Sequence, residues 1–147
     1  MRSESDASQE RLAGLAAFLP EFERDGFVFG QWEGGEELPG GRGFSMPNYT
    51  LSESAMAFYK AVYELEWVSP QVDWMEWSNT RRGKQLLGNP NALAKASAEE
   101  LSCVITTCIR RDRFCEGALA GDFRDGRLLA ILRRAAVLLA AVHPPGP

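Results

Sequence analysis

Apolar residues recur every three or four positions in five separate stretches of this chain of 147 residues. That spacing follows one face of an α-helix, so each stretch predicts an amphipathic helix whose apolar stripe packs on a shared core. The predicted helices cover residues 8–24, the run from Thr50 to Ser69-Pro70, the run from Asp73 to Leu87, the run that begins at Ser97, and residues 128–142.

Three of these helices have a marked start. Thr50, Asp73 and Ser97 are each followed three residues later by a glutamate. In this pattern the two side chains bond amides of the first helical turn that otherwise have no partner. The helix from Ser97 has the clearest pattern, because one of its faces carries Leu101, Val104, Ile105 and Cys108.

Residues 26–46 do not fit a helix. Seven glycines lie here between clusters of aromatic and β-branched residues, which predicts a short β-hairpin with a glycine-rich tip. The glycines match neither a phosphate-binding loop, which needs a Lys-Ser/Thr pair, nor the Gly-x-Gly-x-x-Gly turn of dinucleotide-binding folds. We therefore predict a mainly α fold, a compact bundle of about five helices with a hairpin near residues 26–46.

The chain has the size of a single domain. We expect residues 1–147 to form one domain, with a globular core over residues 8–142 and a flexible tail over residues 143–147. The first twelve residues lack an apolar run, which predicts no secretory signal, and the apolar segment near the end is too short to span a membrane. Three cysteines, an odd number, suit a reducing compartment, so we expect a cytoplasmic protein.

The sequence disfavours several kinds of catalytic and metal site. His143 is the only histidine and lies in the proline-rich tail, which argues against a Ser-His or Cys-His catalytic pair. Cys103, Cys108 and Cys115 are separated by gaps of five and seven residues, unlike the short paired spacing of zinc sites. We expect Cys103 and Cys108 to be buried apolar residues, and we expect no metal and no cofactor.

The stretch "IRRDRFCEG", residues 109–117, holds three arginines and two carboxylates directly behind the apolar helix. If the helix continues through it, Asp112 falls in the middle of the apolar stripe and must be paired or protonated. The candidate partners are Arg81, Arg82 and Arg113. Glu116 and Cys115 would then join Asp112 at one edge of the core, around a small polar pocket.

The alternative is that this helix ends near Arg110. Arg110 and Arg111 would then complement the negative end of the helix dipole, and the carboxylates would cap a following turn. Under this interpretation the charged stretch has a structural role only. The residues alone leave both interpretations open.

Aromatic residues cluster just before this basic half of the chain. Within 20 residues lie Tyr59, Tyr63, Trp67, Trp74 and Trp77. Their helical spacing fits packing between helices, and the alternative is an anchor for a partner or a ligand. Trp74, Trp77 and the following Arg81 are therefore candidate binding residues.

Residues 104–135, "VITTCIRRDRFCEGALAGDFRDGRLLAILRRA", closely resemble the signature of a bacterial and phage family, the domain-of-unknown-function family 6508. The matching positions are Arg110, Asp112, Arg113, Phe114, Cys115, Glu116, Gly117 and Leu119, then Phe123, Gly126, Leu128 and Leu132. Weaker similarity extends over residues 10–135. The resemblance implies a compact, largely helical domain in which this segment is the hallmark, and it implies no established activity.

Our leading hypothesis is a small binding or regulatory module that takes a protein partner or a small ligand in a groove between the charged stretch and the aromatic helices. The candidate site residues are Arg110, Asp112, Arg113, Cys115, Glu116, Trp74, Trp77 and Arg81. The main alternative is an enzyme acting on a phosphate-bearing or nucleotide-like ligand. Two arginines, Arg110 and Arg113, would then clamp the anion, with Asp112 or Glu116 as acid or base.

A second alternative is a nucleic-acid binder, because residues 81–147 carry eleven basic and six acidic side chains. The net charge of -4 and the small local excess disfavour nucleic acid as a partner. A homodimer stays open, since the apolar stripe of residues 128–142 suits packing against either the core or a second copy.

Overall fold

The computed structural model describes residues 4–142, and in that range the chain forms eight α-helices and one two-stranded antiparallel sheet. The mainly α fold with a hairpin is confirmed, and the count of about five helices is wrong. The elements are α1 (Glu4–Ala16), α2 (Leu19–Phe22), β1 (Gly30–Glu33), β2 (Asn48–Leu51), α3 (Glu53–Glu64), α4 (Trp74–Ser78), α5 (Arg81–Gly88), α6 (Ala98–Phe114), α7 (Ala118–Arg124) and α8 (Arg127–Val142). The predicted tail, with His143, lies outside the described residues.

Two of the predicted helices are divided, which explains most of the difference in number. The first breaks after Ala16, and Pro20 lies in the first turn of α2, where its missing amide is not needed. The third breaks between α4 and α5. Here the hydroxyl of Thr80 accepts a hydrogen bond of 3.0 Å from the amide of Gly83 and so starts a new helix.

The start of α3 differs from the prediction by two residues. Thr50 does not cap the helix, because it lies in β2 opposite Gln31. Ser52 caps it instead, with its hydroxyl 3.2 Å from the amide of Ala55. The predicted starts at Asp73 and Ser97 are confirmed, and Ser97 forms the complete reciprocal capping pair with Glu100.

The apolar stripes meet in one core, as predicted. All four stripe residues of α6 are buried, and α8 contributes Leu128, Ile131, Leu132 and Ala135. At the end of the core near α2, six phenylalanine rings lie with neighbouring centroids 4.7 to 6.0 Å apart. They are Phe18, Phe22, Phe27, Phe29, Phe58 and Phe123.

The hairpin lies later in the chain than predicted. β1 pairs with β2 in a register that sets Gly30 opposite Leu51 and Glu33 opposite Asn48. The hairpin packs on the corner between α6 and α7, where the indole of Trp32 lies against Gly117. This contact brings the hairpin to the charged stretch.

Candidate functional site

The charged stretch is the end of α6 followed by a tight corner. α6 runs to Phe114, so the interpretation in which it ends near Arg110 is wrong. Gly117 then adopts a φ of 89°, a left-handed conformation that favours glycine, and α7 begins directly after it. Because each helical residue turns by about 100°, neighbouring side chains of the stretch point into three different depressions.

The two carboxylates share the first depression. Asp112, on the last turn of α6, and Glu116, in the corner after it, line a space of about 530 Å³ with Tyr49, Met56 and Tyr59. Tyr49 and Tyr59 both have raised pKa values, because burial disfavours their ionised forms and the charge of Asp112 adds to the effect.

The prediction for Asp112 within a continuous helix needs a correction. Its side chain is half-buried beside the hairpin and does not face the core. Its partner is not an arginine, since its Oδ1 accepts a hydrogen bond of 3.0 Å from the amide of Leu119. Glu116 is held in a similar way, with Oε1 2.6 Å from the amide of Tyr49. Backbone amides therefore fix both carboxylates.

Arg110 and Arg113 point into the second depression. This groove has a volume of about 340 Å³, and its walls include Trp74 and Phe114. The two rings lie 6.1 Å apart at an angle of 32°. We call this space the arginine groove.

The third depression is a cleft between α4 and the α6–α7 corner, with a volume of about 550 Å³. Trp74 and Met75 of α4 form one wall, and Phe114 and Cys115 form the other. Phe114 is 76% exposed although it is a large apolar ring, so it offers a free surface at the rim. We call this space the aromatic cleft. It shares the Trp74–Phe114 pair with the arginine groove.

A buried ion pair lies at the floor of the aromatic cleft. Asp122 is 4% exposed, and its Oδ1 lies 2.5 Å from Nη1 of Arg127 and 3.4 Å from Nη2 of Arg111. Arg127 also bonds Asp125 at 2.9 Å and the carbonyl of Leu87. Burial raises the pKa of Asp122, and the two guanidinium groups oppose that rise.

Three buried atoms of this floor have no hydrogen-bond partner within residues 4–142. They are Nε of Arg111, Oδ2 of Asp122 and Nε of Arg127. A buried polar atom without a partner is costly, so its presence calls for an explanation. Of these three residues, Arg111 has the most exposed side chain, at 39%, and its Nη2 makes one ion pair at 3.4 Å. Because its Nε is buried, the Nη groups are the donors that Arg111 can offer at the cleft.

Sequence reasoning missed Asp122 and Arg127. A usable signal is that Asp122 lies three residues after Leu119 on α7, which sets the carboxylate beside a buried leucine. A carboxylate on a buried helix face needs a cation nearby, and Arg127 follows directly after the turn at Gly126. The aromatic cleft therefore has its own Arg-carboxylate cluster, made of residues other than those predicted.

The other predicted residues are distributed around this region. Of the tryptophan pair, Trp74 lines the cleft, whereas Trp77 is half-buried against the core. Arg81 is exposed at the start of α5 and does not line the cleft. Arg82 pairs with Glu100 at 2.5 Å and so does not serve Asp112.

The three cysteines are free thiols. Cys108 is buried and Cys103 is half-buried, whereas Cys115 is exposed at the aromatic cleft. Burial raises the pKa of Cys108, and Asp122 adds to that rise, so its thiol stays protonated at neutral pH.

No group of three His, Cys, Asp or Glu side chains in residues 4–142 has the geometry to hold a metal ion. Within the same residues, no helix combines the length and the apolarity that crossing a membrane requires.

The model of a family described as "Family of unknown function (DUF6508)" matches residues 7–141. No curated protein and no solved structure matches the chain. The family match covers every residue that lines the three depressions.

Proposed function

The chain belongs to the family of unknown function DUF6508, and on that premise we propose that it is a binding module for a small organic ligand held in the aromatic cleft. The observation that carries the proposal is the combination of apolar aromatic walls with a charged floor. Ligand sites in proteins are mostly apolar clefts of about 300 to 1,000 Å³ with a few polar groups that fix orientation. The cleft, at about 550 Å³, has this size and this composition.

The aromatic rings at the rim of the aromatic cleft favour a planar ligand. The ring of Phe114 is largely exposed and the ring of Trp74 is half-buried beside it. Aromatic faces of this kind stack on flat heterocycles and gain about 0.5 to 1.5 kcal/mol beyond area burial. An exposed ring on the last turn of a helix is costly to hydrate, and a stacked ligand would remove it from water.

The charged floor of the aromatic cleft favours a ligand that carries a hydrogen-bond acceptor. Arg111 is bound to Asp122 only at 3.4 Å, whereas Arg127 holds the same oxygen at 2.5 Å. Asp122 therefore neutralises Arg127 more than Arg111. A carbonyl or ring nitrogen of a ligand can accept from the donors that Arg111 keeps at the cleft.

We favour binding over turnover because the proposed acid or base and the proposed anion clamp lie apart. Asp112 and Glu116 line a different depression from Arg110 and Arg113, and backbone amides hold both carboxylates. The floor carboxylate Asp122 is engaged by two arginines and has little access to solvent. These features suit fixed recognition better than proton transfer.

The test is a ligand-observed NMR screen of planar heteroaromatic compounds against the wild type, Phe114→Ser and Phe44→Ser. Phe44 is a matched control, since its ring is 71% exposed and it lies in the hairpin loop and does not line the cleft. We expect compounds that bind the wild type and Phe44→Ser and that lose affinity for Phe114→Ser. The proposal is contradicted if no compound binds, or if Phe114→Ser binds the same compounds equally well.

A further inference from the structure

The arginine groove is the part of this region that the proposed function leaves without a role. Arg110 and Arg113 lie three residues apart on α6, so they share one helix face. Neither guanidinium group has an ion pair or a hydrogen bond with another residue of the described range 4–142. Both side chains line the groove behind the same two aromatic rings that form the aromatic cleft.

No acidic side chain lines this groove. The residues that line it besides the two arginines are uncharged, namely Ser69, Pro70, Val72, Trp74 and Phe114. Asp73, between Val72 and Trp74 in the chain, caps α4, with its Oδ1 3.1 Å from the amide of Glu76. The nearest carboxylates along the chain, Asp112 and Glu116, point into the first depression. The negative end of the α6 dipole offsets part of the positive charge, yet like charges on one helix face still repel. An anion between the two arginines would remove that repulsion.

We infer that the ligand of the aromatic cleft is an aromatic phosphate monoester of the size of a nucleoside monophosphate, with its phosphate between Arg110 and Arg113. The planar ring lies on the cleft side of the Trp74–Phe114 pair, with an acceptor atom at Arg111. The phosphate crosses the rim into the arginine groove. This inference rests on the proposed function, because it assigns the second half of the same ligand.

The chemistry of the groove fits a phosphate. Guanidinium groups present several donors in a plane and form paired hydrogen bonds with phosphate oxygens, which makes arginine the preferred residue for a bound phosphate ester. Two such groups on one face can hold a dianion. Aromatic rings beside them supply the stacking surface that a base requires.

The experiment compares the four ribonucleoside 5′-monophosphates, the matching nucleosides and inorganic phosphate by amide chemical-shift titration of the full chain. The variant is Arg110→Gln combined with Arg113→Gln. The matched control is Arg24→Gln combined with Arg42→Gln, which removes the same charge from two exposed arginines that do not line the groove. The backbone spectrum of each variant reports whether it is folded.

For the wild type and the control we expect at least one monophosphate to bind about tenfold or more tightly than its nucleoside, a difference of about 1.4 kcal/mol. In the groove variant we expect this advantage to disappear while the nucleoside binds as before. Inorganic phosphate should bind more weakly than the monophosphate, because it lacks the ring.

Three results overturn the inference. One is equal affinity for nucleoside and monophosphate, another is a phosphate advantage that survives in the groove variant, and the third is no binding of any monophosphate at about 1 mM. If planar compounds still bind in a way that depends on Phe114, the proposed function stands and only the phosphate assignment is wrong. If they do not, the proposed function is wrong as well.

Discussion

Nη1 of Arg127 lies 2.5 Å from Oδ1 of Asp122, at a depth where only 12% and 5% of the two side chains are exposed. Asp122 belongs to α7 and Arg127 begins α8, while Arg111 reaches the same oxygen from α6. One carboxylate oxygen therefore joins three helices beneath the aromatic cleft. The shape of the cleft floor depends on this pair.

We expect Arg127→Met to lower the free energy of unfolding by about 3 kcal/mol or more. The substitution leaves Asp122 buried without its main partner and also removes the bond to the carbonyl of Leu87. Urea unfolding followed by circular dichroism gives the value. Arg111→Met is the matched control and should cost less than about 1 kcal/mol, because that side chain is 39% exposed and pairs at 3.4 Å. Equal losses for the two variants would contradict the central role of Arg127.

We expect Gly117→Ala to destabilise the chain more than Gly126→Ala. Both glycines have a φ near 90°, so an alanine at either position costs about 1 to 2 kcal/mol in backbone conformation. At Gly117 the added Cβ would also lie 2.8 Å from Cζ2 of Trp32, whereas nothing lies within 4 Å at Gly126. The comparison by urea unfolding isolates the contact between the hairpin and the corner. A loss at Gly117 no larger than that at Gly126 would show that Trp32 moves away without cost.

Sequence reasoning predicted the elements whose signals are local. The cap at Ser97 and the stripe of α6 follow from short-range chemistry, and both were confirmed. The break at Thr80 was not predicted, because a threonine within a helix pattern becomes a cap only when the chain turns there. Helix ends of this kind account for most of the helices that were found beyond the five predicted.

The sequence predicted which segments line the candidate site, but not how their side chains are arranged in space. The charged stretch and Trp74 do line the depressions. The sequence cluster was interpreted as one constellation, whereas helical rotation divides Asp112 from Arg113 and Arg110 from Arg111. The position of Asp122 three residues after the buried Leu119 indicates that this carboxylate needs a cation, but the choice of Arg127 as its partner depends on how α7 and α8 pack.

We expect the ion pair between Arg82 and Glu100 to stabilise the chain at neutral pH and to be lost in acid. Arg82 holds the pKa of Glu100 at about 2, below its ordinary value of 4.5. A carboxyl group with a lowered pKa contributes stability above its ordinary value, and that contribution falls as the pH drops from about 4.5 towards 2. Unfolding of the wild type and Glu100→Gln, measured across this range, should show a difference that shrinks with acidity. Gln retains the capping bond to Ser97, so an undiminished difference at pH 2 would contradict the pairing.

We expect Glu66→Gly to raise the free energy of unfolding by up to about 1 kcal/mol, because Glu66 holds a left-handed φ of 61° just after α3. The amide of Trp67 donates back to the carbonyl of Val62 at 2.9 Å, which is the closing bond of a type of helix end whose left-handed residue is usually glycine. Glu64→Gly, inside the last turn of the same helix, is the matched control and should lower stability by about 0.5 to 1 kcal/mol. In thermal unfolding, the midpoint temperature of Glu66→Gly should therefore rise above that of the wild type, and that of Glu64→Gly should fall below it. A decrease for both would mean that the side chain of Glu66, and not its backbone conformation, decides the stability of this turn.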